Sequence, residues 1–233
     1  MRAFILPIAL LLPAFLQAQD ARPINCRFLS FGGSAESASV INRTAKGEEI
    51  VCPLPTNEFS KNVVCYAKKN AIDFSTSEKT PAATAIIPAG VKSVLLLFVA
   101  TPKPPDENTA KSLPWRVFVI EDSPKNFPFG GAYIANLMDK EVRFEIAEHK
   151  GLLQADEAQG FALPKERDDF NMVPLLIEIM ENDKWRTVDE TSLRFLPGVR
   201  HLILAHEDAT SGRPRIKSYQ DMEPANGKTR GAR

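Results

Sequence analysis

Short runs of β-branched and aromatic residues, separated by clusters of Gly, Pro, Asn and Asp, recur along most of this 233-residue chain. Such runs are typical of β-strands. Apolar residues at helical spacing with capping residues are scarce, so helices are not expected. The pattern predicts an all-β protein built from antiparallel β-sandwiches of the immunoglobulin-like type. It places no strand between Ile146 and Gly160.

Three short motifs occur twice and in the same order, which indicates an internal duplication. Each pair is separated by roughly one hundred residues, the size of one sandwich domain. The pairs are FGG at 31–33 and 129–131, IPAGVK at 87–92 with LPGVR at 196–200, and RV…ED at 116–122 with RI…QD at 215–221.

The duplication predicts one sandwich over residues 24–123 and a second over 127–222. The strand after Gly90 should then be equivalent to the strand after Gly198, and both should be central because both are strongly apolar. The core positions predicted from these two strands are Val94, Leu96, Leu202 and Leu204. The alternative is one larger β-sandwich or barrel in which the repeated motifs are chance similarities.

The amino terminus has the pattern of a cleavable secretory signal peptide. Arg2 precedes an apolar run over residues 4–15, which is too short to span a bilayer, and Ala18 provides a small residue for cleavage before Gln19. We therefore expect residues 1–18 to be removed and the mature chain to be secreted or periplasmic, in the manner of exported bacterial proteins. No stable membrane insertion is expected after cleavage. The polar tail over residues 223–233 is expected to be disordered.

The charge balance argues against one large class of partners. The chain has 29 basic and 29 acidic residues and a formal net charge of zero. Proteins that bind nucleic acid or anionic lipid usually carry clustered excess Lys and Arg. We therefore expect no nucleic-acid partner.

The three cysteines, Cys26, Cys52 and Cys65, all lie in the first third of the chain. Cys52 and Cys65 each end an apolar run, and a polar turn joins the two runs, so neighbouring strands bridged by a Cys52–Cys65 disulfide are predicted. The alternative is three buried thiols that pack as small hydrophobic groups. No CxxC motif is present, and no metal ion or cofactor is expected.

Motifs of enzyme active sites are absent from the sequence, including GxSxG, HExxH and phosphate-binding loops. The segment Gly32-Gly33-Ser34 is interpreted as a flexible turn. His201 and His206 lie five residues apart on one predicted strand and should point to opposite faces. The end of that strand, His206-Glu207-Asp208, is either a solvated strand end or a weak cation site.

Trp115 and Trp185 are the candidate ligand-binding residues, because an exposed indole beside polar groups suits sugar or peptide binding. Each also begins a predicted strand, so closing the end of a sandwich core is the competing interpretation.

These features favour an exported, non-catalytic binding, assembly or scaffold module whose partner is another extracytoplasmic protein, bound at sheet edges or loops. The alternative is a carbohydrate-binding module or a secreted hydrolase without a recognisable motif. In that case a tryptophan would be the platform and an acidic pair, such as Glu121 with Asp122 or Asp168 with Asp169, would be the catalyst.

Overall fold

The computed structural model describes residues 21–32, 39–101, 113–208 and 211–223, all of which form strands or their connections. The predicted signal peptide, Gly33 and Ser34 of the predicted flexible turn, and residues 224–233 of the predicted tail lie outside the described residues. None of the described residues forms a helix with the length and hydrophobicity needed to cross a membrane.

Sixteen strands account for the regular structure of the described residues, and they fall into two series of eight. The first series is β1 (Arg22–Phe31), β2 (Ser39–Arg43), β3 (Glu49–Pro53), β4 (Val63–Ala67), β5 (Ala71–Ser75), β6 (Pro81–Ile86), β7 (Ser93–Ala100) and β8 (Trp115–Glu121). The second is β9 (Ala132–Asn136), β10 (Val142–Ile146), β11 (His149–Leu153), β12 (Ala158–Phe161), β13 (Met172–Glu181), β14 (Lys184–Arg194), β15 (Val199–Glu207) and β16 (Pro214–Met222).

The strands form four open sheets of four strands each, and no sheet contains strands of both series. Outer sheet 1 has the order β3-β2-β5-β6 and packs on inner sheet 1, which has the order β4-β1-β7-β8. Inner sheet 2 has the order β12-β9-β15-β16 and packs on outer sheet 2, which has the order β11-β10-β13-β14. The chain is therefore all-β and consists of two tandem sandwiches.

The two sandwiches have the same strand order, because adding eight to each strand number of the first gives the order of the second. The agreement includes an uncommon feature. β1 pairs with β7 in parallel, and β9 pairs with β15 in parallel. The inner sheets are therefore mixed, whereas the sequence predicted purely antiparallel sheets.

The two series of strands divide between Glu121 and Ala132. The exact domain boundaries at 24–123 and 127–222 remain a prediction.

Two of the three repeated motifs lie at equivalent places in the two sandwiches. Gly90 precedes β7 and Gly198 precedes β15, while the third motif lies along β8 in the first copy, ending one residue beyond it, and along β16 in the second. The FGG motif does not fit. Phe31 is the last residue of β1, whereas residues 129–131 precede β9, the counterpart of β1, so this similarity does not reflect the duplication.

The described chain has three apolar clusters, one inside each sandwich and one between the two inner sheets. The four predicted core residues on β7 and β15 are all fully buried. They do not share one environment, however. Val94 and Leu96 point into the first sandwich, whereas Leu202 and Leu204 point into the cluster between the sandwiches. The residues four positions after Gly90 and Gly198 therefore face opposite sides of their sheets.

A buried group of charges accompanies the apolar cluster where the sandwiches meet. Arg27 donates two hydrogen bonds of 2.7 Å to the carboxylate of Asp221. Arg200, only 2% exposed, donates to Asp221 at 2.9 Å, to Asp122 at 2.7 Å and to the carbonyl oxygen of Phe127 at 2.7 Å. Because Asp122 comes from the first series and Asp221 from the second, Arg200 joins the two copies of the third motif.

Candidate functional site

The two outer sheets differ at one seam. In outer sheet 2, β10 and β13 pair over five residues, from Val142 opposite Ile179 to Ile146 opposite Leu175. In outer sheet 1, the equivalent strands β2 and β5 pair at a single position, Ile41 opposite Ser75. Beyond that position no regular strand pairing joins β2 and β5, and side chains of Asn42 and Arg43 bridge them instead. We call this unpaired stretch the open seam of outer sheet 1.

Asn42 occupies the inner side of the opening and takes over part of the missing strand pairing. Its side-chain nitrogen donates to the carbonyl oxygens of Asp73 at 3.2 Å and Tyr66 at 3.4 Å. Its side-chain oxygen accepts from the backbone N–H of Tyr66 at 2.8 Å. With 3% of its surface exposed, Asn42 serves backbone groups of β4 and β5 that would otherwise be buried without partners.

A cleft of about 360 Å³ opens over this seam. That size lies within the range of small-ligand and side-chain pockets. Residues of β2, β4, β5 and β6 line it, together with residues of the β4–β5 and β5–β6 turns. Three of the lining residues are cations and one is an acid. These charged residues are Arg43, Lys68, Lys79 and Asp73.

The charges of the cleft are only partly neutralised within it. Asp73 accepts a hydrogen bond of 2.9 Å from Thr84. Arg43 donates to Ser75 at 2.7 Å and forms an ion pair of 2.9 Å with Glu49, which lies on β3 and does not line the cleft. Neither lysine of the cleft forms an ion pair with any residue of the described chain. The cleft therefore presents excess positive charge beside an open strand edge.

A second and larger cleft, of about 550 Å³, lies between the sandwiches at the ends of β1, β7, β9 and β15. It contains the predicted cluster His206-Glu207-Asp208. The His206 ring packs against Phe31 with 4.5 Å between centroids, and burial lowers the pKa of His206. Glu207 pairs with Lys140 at 2.9 Å. In the described part of the chain, no group of three or more His, Cys, Asp or Glu side chains is placed to hold a metal ion.

His201 points to the opposite face of β15, as its spacing from His206 predicted. It is fully buried in the second sandwich beside Phe195, with 4.7 Å between ring centroids. Its Nε2 lies 3.1 Å from the carbonyl oxygen of Arg194. Burial lowers the pKa of His201.

The two candidate tryptophans have different environments. Trp115 is partly buried against the core of the first sandwich, with its ring 6.3 Å from that of Phe98, which favours the core-closing interpretation. Trp185 lies on the outer face of outer sheet 2, where the guanidinium of Arg143 covers one face of the indole at 4.5 Å. The carbohydrate-platform hypothesis therefore depends on Trp185.

The acidic pairs considered as catalysts contact structural groups. Asp122 binds Arg200, and Glu121 accepts a hydrogen bond from Asn126. Asp168 accepts from the backbone N–H groups of Phe170 at 2.9 Å and Met172 at 2.7 Å, which stabilises the loop before β13.

The three cysteines lie together in the first core and are all free thiols in the structure. The Sγ atoms of Cys52 and Cys65 are 3.6 Å apart, too far for the bond of about 2.05 Å in a disulfide. The two residues are close, but not for the predicted reason. Their strands, β3 and β4, are not neighbours in one sheet, and the thiols meet across the core between two sheets.

No known protein family and no curated protein matches this chain in sequence.

The residues that form the cleft were not singled out by the sequence. Asn42 gave one signal, since it is a polar residue at an inward position next to a buried apolar residue of the same strand, Val40. The lysines gave none, because exposed lysines in turns are common.

Proposed function

We propose that the mature chain is a non-catalytic binding or scaffold module that acts outside the cytoplasm, and that it binds an extended segment of another extracytoplasmic protein at the open seam of outer sheet 1. The observation that carries this proposal is the single β2–β5 pair, where the equivalent strands of the second sandwich have five. An opened seam exposes strand edges, and unpaired strand edges recruit extended peptides through main-chain hydrogen bonds.

The contact between the sandwiches supports a scaffold role. Apolar residues of both inner sheets pack there, and the buried Arg27–Asp221 and Arg200–Asp122 pairs cross from one sandwich to the other. A binding site on a rigid support loses less conformational entropy when a partner binds. We infer that the second sandwich serves to hold the first in a fixed orientation.

Site-specific photo-crosslinking in the cells that make the protein tests this proposal. A crosslinking amino acid replaces Thr84, an exposed residue lining the cleft, or Thr187, an exposed residue on outer sheet 2. We expect a discrete crosslinked product from position 84 and none from position 187. Equal products at both positions, or no product at position 84, would show that the seam is not the binding site.

The proposed location has its own measurement. Mass spectrometry of exported protein should find a mature amino terminus near Gln19. Exported material that retains residues 1–18 would refute the signal-peptide hypothesis.

We also propose that Cys52 and Cys65 form a disulfide in the exported protein. Two thiols would lose two electrons and two protons to an acceptor disulfide of a thiol oxidoreductase, forming the Cys52–Cys65 bond and reducing the acceptor to two thiols. The hydrogen bond with Cys65, together with burial, raises the pKa of the folded Cys52 thiol. Because the thiolate is the reactive form, we expect the bond to form before the sandwich closes.

Non-reducing peptide mapping should recover the two cysteines in one fragment, and a Cys26 bond to either would contradict the pairing.

A further inference from the structure

We propose that the segment bound at the seam of outer sheet 1 is acidic, with carboxylates at alternate positions along an extended chain. This inference rests on the proposed function and specifies its partner. The carboxylates would be bound by Lys68 and Lys79, with Arg43 between them along the seam.

The three cations are distributed along the length of β5. Lys68 lies at the start of β5, where its backbone forms two hydrogen bonds with Ala71, and Lys79 lies in the turn after the end of β5, donating its N–H to Thr76. Arg43 contacts Ser75 from the opposite side of the seam. A peptide laid along β5 therefore passes all three cations.

Local backbone geometry fixes the two lysines. Lys69 and Asn70 both have positive φ angles, 50° and 70°, in the two-residue turn that follows Lys68. Lys79 itself has a φ of 65° in a turn closed by the Thr76 and Thr80 hydroxyls, which are 2.7 Å apart. Tight turns of this kind hold the Cα positions of the lysines firmly, while their long side chains stay free to reach a carboxylate.

Strand geometry sets the spacing of the ligand. Residues two apart on an extended chain point to the same side and are roughly 6.6 Å apart. β5 has five residues, Ala71–Ser75, so a matching segment places two or three side chains over the seam. Alternating carboxylates would meet the cations, while the intervening backbone pairs with the separated strand edges.

Outer sheet 2 shows the contrasting arrangement. Three of the five Lys and Arg residues on its strands have a carboxylate partner on the same sheet: Arg143 with Glu178 at 2.6 Å, Lys150 with Glu145 at 2.7 Å, and Arg186 with Glu181 at 2.8 Å. Those cations are already neutralised, whereas Lys68 and Lys79 have no ion pair within the described chain. Charge complementarity therefore favours an acidic partner at the seam and not on the opposite face.

Fluorescence anisotropy with the full mature chain tests the inference. The probes are three capped, labelled six-residue peptides in which Thr alternates with Glu, Gln or Lys. We expect the Glu peptide to bind at least about tenfold more tightly than the Gln peptide at low salt, the Lys peptide not to bind, and the preference to weaken as salt screens the charges.

Two double variants with the same change in charge locate the effect. Lys68→Glu with Lys79→Glu should weaken binding of the Glu peptide by about tenfold or more, because it reverses the charge at the seam. Lys165→Glu with Lys184→Glu changes exposed lysines of the second sandwich and should leave binding unchanged. Circular dichroism checks that both variants remain folded.

The possible failures are distinguishable from failure of the proposed function. Equal binding of the Glu and Gln peptides, together with a crosslink at position 84, would overturn the acidic preference and leave the binding module intact. Displacement of the Glu peptide by an equal concentration of inorganic phosphate would indicate a simple anion site and would also overturn the inference. Loss of both peptide binding and the crosslink would remove the function itself.

Discussion

Outer sheets 1 and 2 occupy equivalent places in the two sandwiches, yet only one of them is continuous. Both connect their strands in the same order, and the central seam has five residue pairs in outer sheet 2 against one in outer sheet 1. The order of strands depends on how the chain connects them, whereas hydrogen bonding between two neighbouring strands depends on their local side chains. A duplicated fold can therefore keep its order of strands while one copy loses regular pairing along a seam.

The cores of the two sandwiches also differ in residue composition. Each core contains three phenylalanines, but the first also contains three cysteines, whereas the second sandwich contains the buried His201 beside Phe195. All three histidines of the chain lie in the second half. Trp115 contacts the first sandwich and Trp185 the second, so the fluorescence of single-tryptophan variants reports each copy separately.

Asp221→Ala should give the largest loss of stability, because it breaks the contact that makes the two copies one body. It leaves Arg27 and Arg200 without their shared carboxylate, and removing one partner of a buried ion pair costs about 3–5 kcal/mol. Urea denaturation measures the change in the free energy of unfolding. Tyr219→Phe is the control at the same contact, since the Tyr219 hydroxyl is buried without a hydrogen-bond partner among the described residues, and its loss should not destabilise. A small effect of Asp221→Ala would mean that packing alone joins the copies.

Leu96 and Leu204 lie on equivalent strands but face different apolar clusters. Their substitution by alanine should therefore affect different unfolding transitions. Each should cost about 2–5 kcal/mol, as large-to-small changes in packed cores do. Leu96→Ala should lower the unfolding midpoint reported by Trp115, because Leu96 lies in the first core. Leu204→Ala should separate the transitions reported by Trp115 and Trp185, since Leu204 packs between the sandwiches. Identical behaviour of the two variants would contradict this assignment of faces.

Asn42→Ala tests the seam directly and should cost about 1–3 kcal/mol, because the Tyr66 N–H and the Asp73 carbonyl lose their partner. The reporter is the unfolding transition of Trp115. Thr187→Val on the exposed face of outer sheet 2 is the control, with an expected change within about 0.5 kcal/mol. If Asn42→Ala is neutral, water replaces the amide and the seam does not need it.

Mild acid should destabilise the second sandwich more than the first, and this is the smallest expected effect. Burial lowers the pKa of folded His201 below its ordinary value of 6.5, so the unfolded chain binds the proton first as pH falls. The stability contributed by neutral His201 is therefore fully present above about pH 6.5 and declines below it. Urea midpoints at pH 7.5 and 5.5 measure the change, and His201→Phe should reduce the pH dependence reported by Trp185. An equal change at Trp115 would point to another group.

The strands were largely predictable because their apolar runs and turns are local signals. β5 and β8 begin and end where the runs do, and the turn at Asn182 and Asp183 has the positive φ angles that such residues tolerate. β11 was missed because Gly151 weakens its pattern. In the structure the Phe144 ring lies over Gly151, where a Cβ atom would approach the ring within 2.5 Å. The strand therefore depends on a cross-strand contact that its own sequence does not show.

The candidate site was not predictable for a different reason. A seam opens when two strands fail to pair, and that failure involves residues far apart in sequence, such as Asn42 and Asp73. The sequence also did not show that Leu204 faces the cluster between the sandwiches. Both faces of an inner sheet are apolar, so the alternation of apolar and polar residues does not indicate which face a residue occupies. Sequence identified the strands, but contacts between sheets determined which surfaces remain open.

The position of β1 has a consequence for the order of folding. β1 lies inside inner sheet 1 between β4 and β7, and its parallel partner does not begin until Ser93. β1 therefore waits for most of its sandwich to be synthesised before its second edge is paired. Pairing between residues so distant in sequence is intrinsically slow. The newly made chain consequently stays open for a time, and this delay suits the export proposed above, because the first sandwich closes only after β7 is available.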